Sequence, residues 1–108
     1  DGTNTILAGL WTSSNKIIFD ANNVIEAANG LGDKGYAAGL IGYATIFKAL
    51  ALGDMAMFWE QVPAGIGNNV SFKPRVEGFR EAITAIDAAL AAIQANAITT
   101  SFTSAIPA

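Results

Sequence analysis

Residues 36–59 read YAAGLIGYATIFKALALGDMAMFW, with Gln61, Val62 and Pro63 close behind, and this stretch decides the fold. It is apolar on nearly every side of a helix and carries only Lys48 and Asp54 as charges. In a water-soluble domain, a helix that is greasy all round is a central one, covered by neighbours on several faces. Gly35, Gly39, Gly42, Ile46, Ala49 and Gly53 fall on one heptad-spaced line. Each glycine costs a helix about 1 kcal/mol against alanine, a cost that makes sense if a smooth stripe lets another backbone come close. Gly35, Gly39, Gly42, Ala49 and Gly53 are therefore the candidate helix-packing and interface positions. Leu40, Tyr43, Phe47, Leu50 and Phe58 are expected to fill the other faces, and Pro63 to end a helix spanning about 34–61.

Upstream, residues of about 4–29 form a first helix. Leu7, Leu10, Ser14, Ile17, Ala21, Val24 and Ala28 recur at steps of three and four, and Trp11, Ile18 and Ile25 widen the stripe. Thr12, Ser13, Lys16, Asp20 and Asn23 take the opposite side. Asn29-Gly30-Leu31-Gly32 tolerates the positive φ on which helices commonly stop. Asp33 then suits an N-cap. So short a connection makes an antiparallel helical hairpin.

Downstream, Ala64 to Lys73 reads as a Gly/Asn-rich loop tucked down by Val70 and Phe72. Pro74 suits the first turn of a third helix, about 74–97. There Val76, Phe79, Ile83, Ile86, Leu90, Ile93 and Ala97 repeat at strict three-four spacing, the cleanest amphipathic signal in the chain. Glu77, Arg80, Glu81, Thr84, Asp87 and Gln94 make its wet face. The tail Thr99–Ala108 is polar and β-branched, with Phe102 and Ile106 as anchors. The expectation is one all-α domain over 1–108, with three helices arranged as a bundle or as helical hairpins. No internal repeat of about 34 residues establishes a regular solenoid.

Composition narrows the function classes. Only 14% of the 108 residues are charged and 52% are hydrophobic, against about a quarter charged in ordinary domains. A chain so poor in charge has little with which to cover a complete surface, so part of that surface is expected to be buried by further chain or by partners. Six basic residues scattered among nine acidic ones give a net charge of −3, which excludes the clustered basic face of a nucleic-acid binder. Cysteine and histidine are both absent, which removes disulfides, thiol nucleophiles and the commonest metal ligand and general base. Lys48 and Asp54 make membrane insertion of the central stretch costly, and the uncharged piece from Gly35 to Phe47 is too short to span a bilayer. The chain begins at Asp1 with no signal peptide and is expected to be a processed chain or a fragment of a longer one.

The remaining candidates favour packing over chemistry. Asp54 and Glu60, six apart, would point to different faces of a helix, so they do not make an acid–base pair; Asp54 is expected to bond loop backbone or pair with Lys48 or an arginine. Trp11, Tyr36, Tyr43 and Trp59 have the rings for a sugar-stacking platform but stand at core-type spacings. Of Asn22 and Asn23, one is expected at the surface and one bonded to neighbouring backbone. Gly65-Ile66-Gly67-Asn68-Asn69 lacks the Lys-Ser/Thr of a phosphate loop. Asp20, Glu26 and Asp33 lack calcium-loop spacing. The chain is expected to be no enzyme, with no catalytic residue, cofactor or metal, and its ligand-binding residues are not legible.

Three phrases carry a family resemblance. Trp11 is followed by Ala21-Asn22-Asn23-Val24-Ile25; Leu52-Gly53-Asp54 is followed by Glu60-Gln61-Val62-Pro63; and Pro74-Arg75-Val76-Glu77-Gly78-Phe79 runs on to Ile86-Asp87-Ala88-Ala89-Leu90. In order and spacing, over most of residues 6–95, this resembles the RagB/SusD family of bacterial nutrient-binding lipoproteins. The family phrase joins aspartate directly to proline, whereas Met55 to Val62 separate them here. Members are several times longer, so these residues would form their early helical part. The resemblance implies tetratricopeptide-like hairpins in a non-enzymatic lipoprotein on the outer-membrane surface. It also implies a TonB-dependent transporter as partner and oligosaccharide or peptide ligands, but it brings no ligand-contacting residue to this stretch. The other reading, from composition and the glycine line, is a structural subunit assembling with its own copies into a filament or tube.

Overall fold

Asp33 fixes where the central helix begins. Its carboxylate accepts a hydrogen bond from the Tyr36 amide at 3.0 Å, satisfying one of the donors that a helix start leaves unpaired. The structure, a computed structural model, describes residues 2–64 and 71–107. The Gly65–Asn69 loop and Val70 lie outside the described residues. Along the chain come α1 (Gly2–Asn29), α2 (Lys34–Phe58), β1 (Gln61–Ala64), β2 (Ser71–Pro74), α3 (Arg75–Ala95) and α4 (Thr100–Ala105). The protein is mostly helical, as the periodicity implied.

Two local expectations are corrected. The central helix stops at Phe58 rather than near residue 61, and Trp59 is already extended, with φ −127° and ψ 143°. Pro63 acts indirectly, because the residue before a proline is pushed out of the helical region and Val62 must be extended. Residues 61–64 then pair antiparallel with 71–74, Val62 opposite Lys73 and Pro63 opposite Phe72. The Arg75 amide continues the ladder to the Glu60 carbonyl at 2.8 Å. A two-stranded hairpin is marginal by itself, but here Val62 is fully buried and anchors β1 against α2 and α3. Its Cγ2 fills the place where a side chain on Gly78 would begin. The tail adds a short α4, capped by Thr99 through the Phe102 amide, and Phe102 is buried, as expected of an anchor.

α2 packs on α1 along one flank and on α3 along the other, while the backbones of α1 and α3 hardly approach each other. This open arrangement gives a radius of gyration of 14.9 Å, against about 13 Å for a compact domain of this length. The innermost side chains are Leu52, Met55 and Val62, packed with Ile18 and a shell of alanines, with Trp11 and Trp59 closing one end. α2 is long and apolar enough to cross a membrane, yet 44% of that apolar window is buried inside the protein. A core helix meets the same length and composition criteria.

The helices do not pack on their greasiest faces. α3 buries Gly78, Ala82 and Ala89. The stripe expected to face the core, Val76, Phe79, Ile83, Ile86 and Leu90, stands largely exposed, about a quarter turn around the helix. α2 likewise buries alanines and leaves Tyr43, Ile46, Leu50 and Met57 exposed. Phe47 and Phe58 are also exposed; of the large residues expected to fill the other faces only Leu40 is half-buried, and the large apolar side chains that α2 does bury are Leu52 and Met55. In α1 the buried line runs through Ser14, Ile18, Ala21, Asn22 and Ala28, leaving Ile17 and Val24 outside. Helices approach most closely where side chains are smallest, and that choice sets the rotation of each.

Lys48 and Glu81 join α2 to α3. The Lys48 Nζ lies 3.3 Å from the Glu81 carboxylate, and the two side chains are only 7% and 22% exposed. The sequence had offered Asp54 as the partner of Lys48, but Asp54 points outward and is exposed. Removing one partner of a buried pair is costly because the other charge loses it, whereas replacing both partners by apolar groups can be nearly neutral. Glu81→Ala is therefore expected to lower stability by roughly 2 kcal/mol or more, and the double replacement Lys48→Met/Glu81→Leu by about 1 kcal/mol or less. Urea unfolding of the two variants checks the order, and equal losses would show that the pair contributes little beyond its packing.

Candidate functional site

Acidic side chains do not gather into a metal-binding group among the described residues. No cluster of three or more acidic or other metal-ligating side chains is present among them. Asp33 is spent as a helix cap, and Asp20 pairs with Lys16 at 2.7 Å on the surface of α1. Asp54 and Glu60 are both exposed, one within α2 and one beyond its end. Asn22 is buried with a partner and Asn23 is half-buried. No buried side-chain nitrogen or oxygen among the described residues lacks a hydrogen bond, so no orphaned polar group marks a ligand position.

The four aromatic candidates split into separate groups. Trp11 and Trp59 meet edge to face, their centroids 5.0 Å apart. Phe72, placed by β2, stacks on Trp11 at 5.9 Å and 9° between planes. Tyr36 turns instead to Phe102, and Tyr43 to Phe47. Trp11 and Trp59 pack against the core cluster and serve mainly as its lid. Their meeting was not readable, because the strand that delivers Phe72 is only four residues long.

The glycine line divides in two. At Gly35 an added Cβ would stand 2.5 Å from the Ala97 carbonyl oxygen, and at Gly39 it would stand 2.5 Å from the Phe102 ring. At Gly42 it would meet the Ile93 side chain at 2.9 Å. The close approach that these glycines allow is thus made by the protein's own α3 and C-terminal segment. Ala49 lies half-buried against the core cluster, and Gly53 faces open space.

What remains is an apolar groove of about 330 Å³ between α2 and α3, closed at one end by Ile98 and Phe102. Gly39, Gly42 and Ala89 line it without bulk, and Tyr43, Ile46, Ile86 and Leu90 stand along it. On the polar side of α3, a second hollow of about 270 Å³ is lined by Lys73, Glu77, Arg80, Glu81 and Thr84. Its mixed charges give it no net preference for an anion or a cation. The groove is the better candidate site, with the shape and chemistry to hold an apolar side chain or helix. Sequence reading missed it because each flanking stripe was assigned to the core.

No protein-family model matches the chain, and no match is found among curated proteins or among solved structures.

Two alanine substitutions test the division of the glycine line. Gly39→Ala drives a methyl group into Phe102 and is expected to destabilise by about 1–3 kcal/mol while releasing α4. Gly53→Ala meets nothing and is expected to stabilise by up to about 1 kcal/mol, because it removes the helical glycine penalty. Thermal unfolding of both proteins reads the opposite signs.

Proposed function

We propose that this chain is a non-enzymatic scaffold and binding module of the RagB/SusD kind. In this reading α1, α2 and α3 form tetratricopeptide-like hairpin layers at the outer-membrane surface. They dock beside a TonB-dependent transporter and help to present oligosaccharides or peptides to it. The three ordered phrases of the sequence support the reading. The observation that carries it is the sharing of α2 between two flanking helices, with the large apolar stripe of α3 left uncovered. A closed bundle would turn that stripe inward, whereas a layered scaffold offers it to the next element. α2 is read as the core helix of such a scaffold and not as a membrane span, since its central Lys48 is tied to Glu81 inside the protein.

Self-assembly into a filament or tube is the second reading, favoured by the same uncovered surface. Both are tested in one preparation from the natural host. Tagged protein is cross-linked on intact cells, purified from the outer-membrane fraction and its partners identified by mass spectrometry. The scaffold reading expects a TonB-dependent transporter at about one copy per chain. Recovery from that fraction with no transporter overturns it, and ordered polymers in negative stain put assembly in its place.

A further inference from the structure

The exposed stripes of α2 and α3 flank the same groove. Leu50 and Ile83 are both 61% exposed, and the aromatic members Tyr43, Phe47 and Phe79 are 41–45% exposed. At 150–250 Å² for a large side chain, the stripes expose on the order of 1,000 Å² of apolar surface. A typical monomer's largest apolar patch is about 300–600 Å², and a standard interface takes about 800 Å² from each partner. The face is therefore wide enough for a stable protein contact and too wide to be left in water.

From this surface we infer a particular occupant, a second copy of the same chain packed about a two-fold axis. The groove calls for an amphipathic helix with large apolar residues at three-four spacing and polar residues behind. α3 is such a helix: Phe79, Ile83, Ile86 and Leu90 form its ridge, Glu77, Glu81 and Thr84 lie away from it, and Asp87 and Gln94 border it. Ridge and groove share one face of one chain, which is what an isologous contact requires. Each α3 ridge enters the partner's groove, and the reciprocal contact covers both. Acids at the contact are few: Asp54 is the one acid of α2, and on α3 the exposed Asp87 borders the ridge, four residues from Ile83. Closure about a two-fold axis yields a dimer and not a filament, because each copy's face is then used up.

Sedimentation velocity on the 108-residue chain from ~1 to ~100 µM tests the contact in the range where such interfaces form. The expected result is a monomer converting to a dimer and stopping there. Leu50→Glu and Ile83→Glu, exposed positions on the two stripes, are each expected to weaken dimerisation by about tenfold or more. Ile6→Glu, on α1 and 73% exposed, is expected to leave it unchanged. Circular dichroism confirms equal helix content in all four proteins. A monomer throughout, growth beyond two copies, or equal loss with Ile6→Glu overturns the inference. A monomer would leave the scaffold reading standing, since the α3 stripe is then still free for the next layer of that scaffold.

Discussion

The close approach of α2 to both neighbours is the constraint on which the rest of the structure depends. α2 has to serve two helices at once, and it does so with alanines and glycines. Ala37, Ala44 and Ala51 recur at heptad spacing among its buried residues, and α3 answers with Gly78, Ala82 and Ala89. Small side chains bring backbones together, so that attraction comes from many short contacts and not from a few bulky ones. The same choice leaves the bulky residues with nowhere inside to go. Among the described residues, only Leu52, Met55 and Val62 are both large and fully enclosed. The apolar outer surface is thus a consequence of how the core is made.

This accounts for what the sequence disclosed. A three-four period over twenty residues, with Asp33 before α2 and glycines after α1, specifies helices whatever surrounds them. Periodicity, however, finds the side with the largest apolar residues. In α3 that is the side of Ile83 and Leu90, whereas the packed side is that of Ala82 and Ala89, and no single-chain pattern distinguishes them. The hairpin was hidden for another reason. Pro63 was read as a stop signal, and strands of four residues lack the length for alternation to show. α4 has only six residues, and of its features only Phe102 stood out.

The polar residues were better legible as structure than as chemistry. With neither histidine nor cysteine, the chain has few means of building a reactive centre. The acids that looked like candidates serve as a helix cap, a surface pair or exposed charge. The buried ion pair of Lys48 with Glu81 was missed because its partners stand thirty-three residues apart on different helices. It fixes the register of α3 on α2, since a slide along the axis would strand both charges in apolar surroundings. That register aligns Ile46 with Ile86 and Leu90 across the groove. A buried ion pair and an exposed apolar cleft are in this way parts of one arrangement.

The glycine line completes the argument about what the surface is for. Its spacing called for a backbone to come close, and at Gly35, Gly39 and Gly42 the protein's own C-terminal part does so. Those contacts are therefore already made within the chain, by α3 at Gly42 and by the segment from Ala97 to Phe102 at Gly35 and Gly39. Gly53 is open but isolated, and one glycine offers little area. Assembly by stacking smooth stripes would have to displace Phe102, whose ring is buried against α2 and Tyr36. A contact through the α2–α3 ridges displaces nothing and covers surface that water disfavours. The large side chains that the core refused are for that reason the part of this fold best suited to meet another protein.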